Sequence, residues 1–278
     1  MAPGVVEHRV RADGHYDFHP RTLPQVPERL HVDGAWPGQL TVRRGWARAV
    51  ARPWNDKVLD AAVRLERGSS EFLRTVAELL APMGSGVVYS PALYPEATRV
   101  WAKAGFTPFG VLDVMEMRLG AGVAPPRHTI HATRRPVWSP LVDLDHLAFD
   151  GFWSMGEAGL VEAMRATPRS VVLEARLDGA LAGYALAGAQ TMLSFLQRVA
   201  VAPAYSGQGV GTSLLRASVA WAAARGARVM VLNVRPENDR ARRLYEREGF
   251  EMRDVHLDLL RFGAPPGPIG GLGAAPQR

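Results

Sequence analysis

Cysteine is absent from all 278 residues, which excludes a disulfide framework, thiolate metal sites and a cysteine nucleophile. A cytoplasmic location fits such a chain. Long apolar runs are scarce too. The first ten residues carry Glu7, His8 and Arg9 and no apolar core, so no secretory signal is expected there. Residues 179–197 run uncharged for the length of a membrane-spanning helix. Gly183, Gly188, Gln190, Thr191 and Ser194 interrupt them, and Asp178-Gly179 at their start is a hairpin signal. They read as two β-strands with a turn near Ala189 and Gln190, and no membrane association is expected. The net charge of +6 is carried mostly by scattered arginine, with pairs such as Arg43-Arg44, Arg134-Arg135 and Arg242-Arg243. These pairs lack interleaved aromatics and lie on separate elements, whereas a nucleic-acid groove needs contiguous charge. No nucleic-acid partner is expected. His128-x-x-His131 has no acidic or thiol partner beside it, so no metal is expected.

Glycine and proline divide the chain. Residues 263–278 contain nine of them and no aromatic and read as a disordered tail, while the glycine- and proline-rich stretch 120–126 reads as a linker. The expected parts are 1–125, 126–262 and 263–278. In the second part, Ser139-Pro140 opens a helix over 141–149, and a second helix spans 157–166. Strands over 171–177, 181–187 and 192–201 follow. A glycine-rich turn then opens a helix over 209–225, with Val210, Leu214, Ala217 and Trp221 on one face and Gly226 as its cap. A strand over 228–234, a helix over 239–248 and a last strand over 255–261 complete the pattern. Antiparallel strands followed by helix-linked ones give an α+β fold with a mixed α/β sheet.

The pattern also repeats. At an offset of 144 residues, Ala97, Val100, Trp101, Gly105 and Phe106 fall on Ala241, Leu244, Tyr245, Gly249 and Phe250. A helix over 69–81 and a strand over 86–89 match their later counterparts, so a duplicated domain is expected.

Two motifs carry chemistry. In the first, the strand through Val199, Ala200 and Val201 delivers the chain into Gly207-Gln208-Gly209-Val210-Gly211-Thr212, directly before a helix. Alternate glycines let successive N–H groups converge, and the helix N-terminus adds partial positive charge, an arrangement that cradles a pyrophosphate. The third glycine and the later acid of a dinucleotide fingerprint are both missing. In the second motif, Asn238 is placed to cap a helix, and Tyr245 seven residues on lies two turns along nearly the same face.

Together these motifs resemble the GNAT acetyltransferase superfamily over about residues 129–262. Its acyl-coenzyme A loop reads Arg/Gln-x-x-Gly-x-Gly/Ala, and its next strand and helix carry Asn-x-x-Ala-x-x-Leu-Tyr and end in Gly-Phe. The resemblance implies two tandem domains of this fold, with acetyl-coenzyme A as co-substrate. It implies that the Val199 and Val201 amides pair with pantetheine and that the Gly207–Thr212 amides hold the pyrophosphate. Asn238 would contact the coenzyme, and Tyr245 would be the general acid. The local pattern is also similar to ribosomal-protein alanine N-acetyltransferases. Two positions depart: Ser206 replaces the opening Arg/Gln, and Asn233 stands where those enzymes carry a basic glutamate. Glu174 is the substitute candidate for the base, acting directly or through water. The expected acceptor is a primary amine, on a small molecule or a protein N-terminus, and a non-catalytic acyl-coenzyme A sensor is the alternative. Acceptor recognition is expected from the first two helices of the second part and their connection, with Phe149, Phe152, Trp153 and Met155. In the first part the phosphate turn maps onto Val63–Gly68 without Gly-x-Gly, Tyr245 onto Trp101 and Asn238 onto Tyr94. That half is expected to be degenerate.

Overall fold

A computed structural model describes residues 27, 29–120 and 124–263; the expected tail from 264 on and the middle of the expected linker lie outside them. The chain forms two compact units, one built from residues 29–91, 100–107 and 261–263, the other from 92–99 and 108–260.

In the first unit, β1 (His31–Gly34), β2 (Leu40–Arg44), β3 (Ala47–Pro53) and β4 (Ala61–Arg67) form an antiparallel meander. The helix α1 (Ser70–Leu80) then returns the chain to β5 (Val88–Tyr89), parallel to β4. Ser69 caps α1 by accepting a hydrogen bond from the Phe72 amide at 3.2 Å, which satisfies one of the donors a helix start leaves open. Phe72, Leu73, Val76 and Leu80 of α1 are buried, as are the alternating inward residues Leu40, Val42, Ala49, Ala51 and Val63. The short helix α2 (Thr98–Lys103) ends at the left-handed Gly105, where the Phe106 amide reaches back to Trp101 O at 3.1 Å. Arg261 and Phe262 pair antiparallel with Tyr89 and Val88.

The second unit repeats this order. β7 (Ile130–Thr133), α3 (Trp138–Ala148) and α4 (Glu157–Arg165) precede the meander β8 (Arg169–Leu177), β9 (Ala180–Ala189) and β10 (Leu193–Val201). The helix α5 (Val210–Ala223) crosses to β11 (Val229–Val234), parallel to β10. The helix α6 (Asp239–Arg247) ends at the left-handed Gly249, and the Phe250 amide bonds Tyr245 O at 3.0 Å. Both helices of the repeated motif thus stop with the same backward bond around a glycine.

The uncharged stretch is indeed the β9–β10 pair, with Ser194 opposite Ala189, and no helix among the described residues is long and apolar enough to cross a membrane. Closing strands come from elsewhere in the chain. β6 (Thr107–Arg118), which follows α2, pairs antiparallel with β11, from Asp113 opposite Val234 to Arg118 opposite Val229. With β12 (Glu251–Phe262), the strand order here is β12-β6-β11-β10-β9-β8-β7. The compact units therefore do not part at a single point of the chain.

One expected correspondence shifts. Residues 63–67, expected opposite the phosphate turn, lie inside β4, and only Gly68 and Ser69 separate that strand from α1. In the second unit Ala202 to Gly209 separate β10 from α5. A fixed offset assumes equal loop lengths, and the first unit lacks this loop. On α5 the buried stripe also sits differently, on Leu214, Leu215, Val219 and Ala222 beside Val210, with Ala217 and Trp221 at its margin.

Candidate active site

β10 and β11 pair only over Leu193–Phe195 against Val229–Val231, after which β10 continues to Val201 bonded to β9 alone. A bulge at Gln197, between Leu196 and Arg198, accompanies the divergence. The amide of Ala202 donates to Ala182 O at 2.9 Å. Bonding direction alternates along a strand, so the N–H groups of Val199 and Val201 face away from β9, into the gap toward β11. The structure thus leaves two adjacent backbone donors open where pantetheine pairing is expected. Side chains divide by face: Val199 and Val201 pack with α5 and α6, Ala200 with Leu141, Leu144 and Leu160 of α3 and α4.

The gap leads to the glycine turn. After a single 3₁₀ turn at Pro203–Tyr205, Gly207 and Gly209 both take φ of 81°. Gly209 is the N-cap of α5 and offers no side-chain acceptor. The first intrahelical bond runs from the Ser213 amide to Gly209 O at 3.0 Å, so the N–H groups of Val210, Gly211 and Thr212 precede it and are left for a ligand. The Gln208 side chain turns back to donate to Ala204 O at 3.1 Å. A side chain at Gly211 would meet Leu244 at 3.3 Å and Val201 at 3.6 Å, so glycine there lets α6 pack against the turn.

Asn238 caps α6, its Oδ1 accepting from the Ala241 amide at 3.1 Å. Tyr245 packs beside Phe250 with ring centres 5.9 Å apart, on the same cluster as Val199 and Val201. Burial pushes its phenol up to about 12, and the nearby Arg198 guanidinium pulls the other way. The phenol therefore stays protonated at neutral pH, the state a general acid requires.

Glu174 does not join this group. It sits on β8 opposite Tyr184, which is itself opposite Ala200 of β10; two interstrand steps amount to about 10 Å. Its carboxylate pairs with Arg176 at 3.0 Å, and it lines a separate cavity of about 250 Å³ with His131, Thr133 and Arg135. Asn233 is exposed on β11 opposite Val114. Among the described residues, no three His, Asp or Glu side chains gather as metal ligands.

Sequence reasoning missed a charged centre buried between α3 and the β9–β10 pair. Asp145 of α3 is wholly buried and accepts from Arg198 Nε and Nη2 at 2.7 and 2.6 Å, from the Tyr184 hydroxyl at 2.5 Å and from the Met155 amide at 2.6 Å. Arg198 also donates to Trp153 O at 2.8 Å and lies 3.5 Å above the Phe149 ring. The expected apolar group is thus organised around one guanidinium. Phe152 meets Trp153 and Phe109 edge-on at 5.2 and 5.9 Å, and Arg235 lies over Trp153 while reaching Asp150 at 3.4 Å. One signal was legible: Arg198 is the sole charge between Asp178 and Arg216.

Residues 138–250 match the acetyltransferase (GNAT) family. An uncharacterized N-acetyltransferase of Mycobacterium tuberculosis is 32% identical over 126 residues, covering 45% of this chain and 79% of that protein. Another, from Methanocaldococcus jannaschii, is 36% identical over 67 residues, covering 24% of this chain and 30% of that protein. Among solved structures, a tandem GNAT protein from the clavulanic acid biosynthesis pathway superposes with a TM-score of 0.54 at 16% identity, covering 93% of each chain. At that identity the likeness concerns the fold.

Proposed function

The chain belongs to the acetyltransferase (GNAT) family, with two tandem domains of that fold, and on that footing we propose that residues 126–262 carry a single active centre moving acetyl from acetyl-coenzyme A to a primary amine. The observation that carries the reading is the parting of β10 from β11 after Phe195, which leaves the Val199 and Val201 amides open beside a glycine turn. Those amides align pantetheine. The Gly207–Thr212 turn, Gln208 included, holds the pyrophosphate, with Asn238 at the rim, while the Ala200 side chain packs on the opposite face beneath α3 and α4.

The amine nitrogen attacks the thioester carbonyl, and the oxyanion is stabilised by a β10 amide. As the C–S bond breaks, Tyr245 gives its proton to the departing thiolate. Among the described residues, no carboxylate or histidine acts on the Tyr245 phenol. Glu174 reaches the amine only through a water relay, after its bond to Arg176 opens. The favoured acceptor is therefore an amine already largely neutral: an α-amine of pKa near ~8 meets this, whereas a lysine near ~10.4 does not. Small-molecule amines of low pKa and protein N-termini share that property.

The test is thiol release from acetyl-coenzyme A across panels of N-terminal peptides and small amines, alongside calorimetric coenzyme binding. Gly209→Asp, which puts a carboxylate at the turn, is the binding control. Thiol release with an amine and its loss in the control support the reading. Coenzyme binding without transfer to any amine would instead make this an acyl-coenzyme A sensor.

A further inference from the structure

The His128 ring, a position no part of the acetyl-transfer reading employs, lies against the glycine turn. Its Nε2 is 2.8 Å from the carbonyl oxygen of Gln208 and 3.9 Å from where a side chain on Gly209 would begin. A carbonyl only accepts, so Nε2 carries the hydrogen and donates it. The ring is itself fastened. The amides of Arg127 and His128 both donate to Oγ of the buried Ser213, at 3.1 and 3.2 Å. Just upstream, Pro125 O accepts from Arg216 at 3.3 Å, and Arg216 is clamped by Glu248 at 2.7 and 2.9 Å. Residues 125–128 thus form a strap tied to the first two turns of α5.

The bond has a geometric consequence. In a trans peptide the carbonyl of one residue and the N–H of the next point in opposite directions. Holding the Gln208 oxygen on the His128 side therefore turns the Gly209 N–H away from it, into the turn. Gly209, at φ of 81°, follows the Gln208–Gly209 peptide, and its freedom at φ lets that peptide rotate. Position 206, where the motif has a long polar side chain, is serine.

We infer that His128 is a positioning residue that locks the Gln208–Gly209 peptide against flipping and so presets the Gly209 amide as a donor to the coenzyme pyrophosphate. The inference rests on the acetyl-coenzyme A reading for its ligand, but the lock itself is a property of the free protein.

The test compares the full chain with His128→Ala and His128→Gln, whose amide nitrogen can also donate. Coenzyme A affinity is read by calorimetry, and hydrogen exchange of the 207–212 amides is read without ligand. With one hydrogen bond lost, His128→Ala should weaken coenzyme A binding by about five- to tenfold. It should raise KM for acetyl-coenzyme A and not lower kcat, and speed exchange at Gly209; His128→Gln should recover part of each. Unchanged exchange at Gly209 in His128→Ala overturns the lock, whether or not the parent protein binds coenzyme. Failure of the parent to bind coenzyme overturns the acetyl-transfer reading instead, and the exchange comparison still decides the lock.

Discussion

Arg198 grips Asp145 through two hydrogen bonds of 2.7 and 2.6 Å, and the Asp145 side chain has no exposure to solvent. The pair joins α3 to β10, the strand that borders the gap toward β11, and through Trp153 O it also fixes the connection between α3 and α4. Two charges taken out of water are tolerated here because close hydrogen bonds and the Phe149 ring replace their hydration.

Removing one partner should therefore be costly. Asp145→Ala strands the Arg198 guanidinium and is expected to lower unfolding free energy by about 3–5 kcal/mol, measured in urea. The double variant Asp145→Leu with Arg198→Met should lose less than either single change. A single variant within about 1 kcal/mol of the parent would mean the pair is hydrated and inconsequential.

Tyr245→Phe keeps the ring beside Phe250 and removes only the hydroxyl. Turnover should fall about 10²–10⁴-fold, with coenzyme affinity unchanged. Because burial raises the phenol to about 12, the parent's pH–rate profile should climb as the amine deprotonates and show no descending limb up to pH 10. Unchanged turnover in Tyr245→Phe would remove the tyrosine from the role of acid, and a descending limb near pH 8 or 9 in the parent would contradict its raised value.

Coenzyme stoichiometry should distinguish the two halves. In the first unit β4 meets α1 through Gly68 and Ser69 alone, and the Ser69 side chain already occupies the Phe72 amide. Trp101, buried at the position of Tyr245, offers no acid able to protonate sulfur. Calorimetry should find one coenzyme per chain. Two would require a site in the first unit that the missing turn does not provide.

Alkaline pH should weaken the fold through its tyrosines. Tyr89 is raised to about 12 by burial and by Asp60, Tyr245 to about 12 by burial, and Tyr184 well above 10 by burial beside Asp145. In each, the folded value exceeds the unfolded one, so above pH 10 the unfolded chain releases protons that the folded chain retains. Stability is thus fully present below pH 10 and declines from there toward 12. Ultraviolet titration should show these three of the six tyrosines ionising late, and their titration near pH 10 in the folded protein would contradict it.

Much of the architecture was readable because it depends on local chemistry. The Gly207–Gly211 spacing announces a turn before a helix, Asn238 a cap and Gly249 a stop, each satisfied by neighbours within a few residues. The halves of the repeat were legible for the same reason, since Phe106 bonds back to Trp101 and Phe250 to Tyr245 across a glycine at the same spacing. The offset failed at residues 63–67, where a loop was shorter, a difference that residue identity does not report. Glu174 shows another limit. Its strand was recognised, but its distance from β10 follows from strand order and register.

By itself, the sequence determined many of the elements, their duplication and the glycine turn before α5, because backbone conformation at glycines, caps and alternating strands is dictated by adjacent residues. Only the tertiary structure decided which amides stand open and which charges meet. Asp145 and Arg198 lie 53 residues apart, and His128 reaches Gln208 across 80. Such pairings are set by how strands and helices stack, and that is a property of the packed chain as a whole.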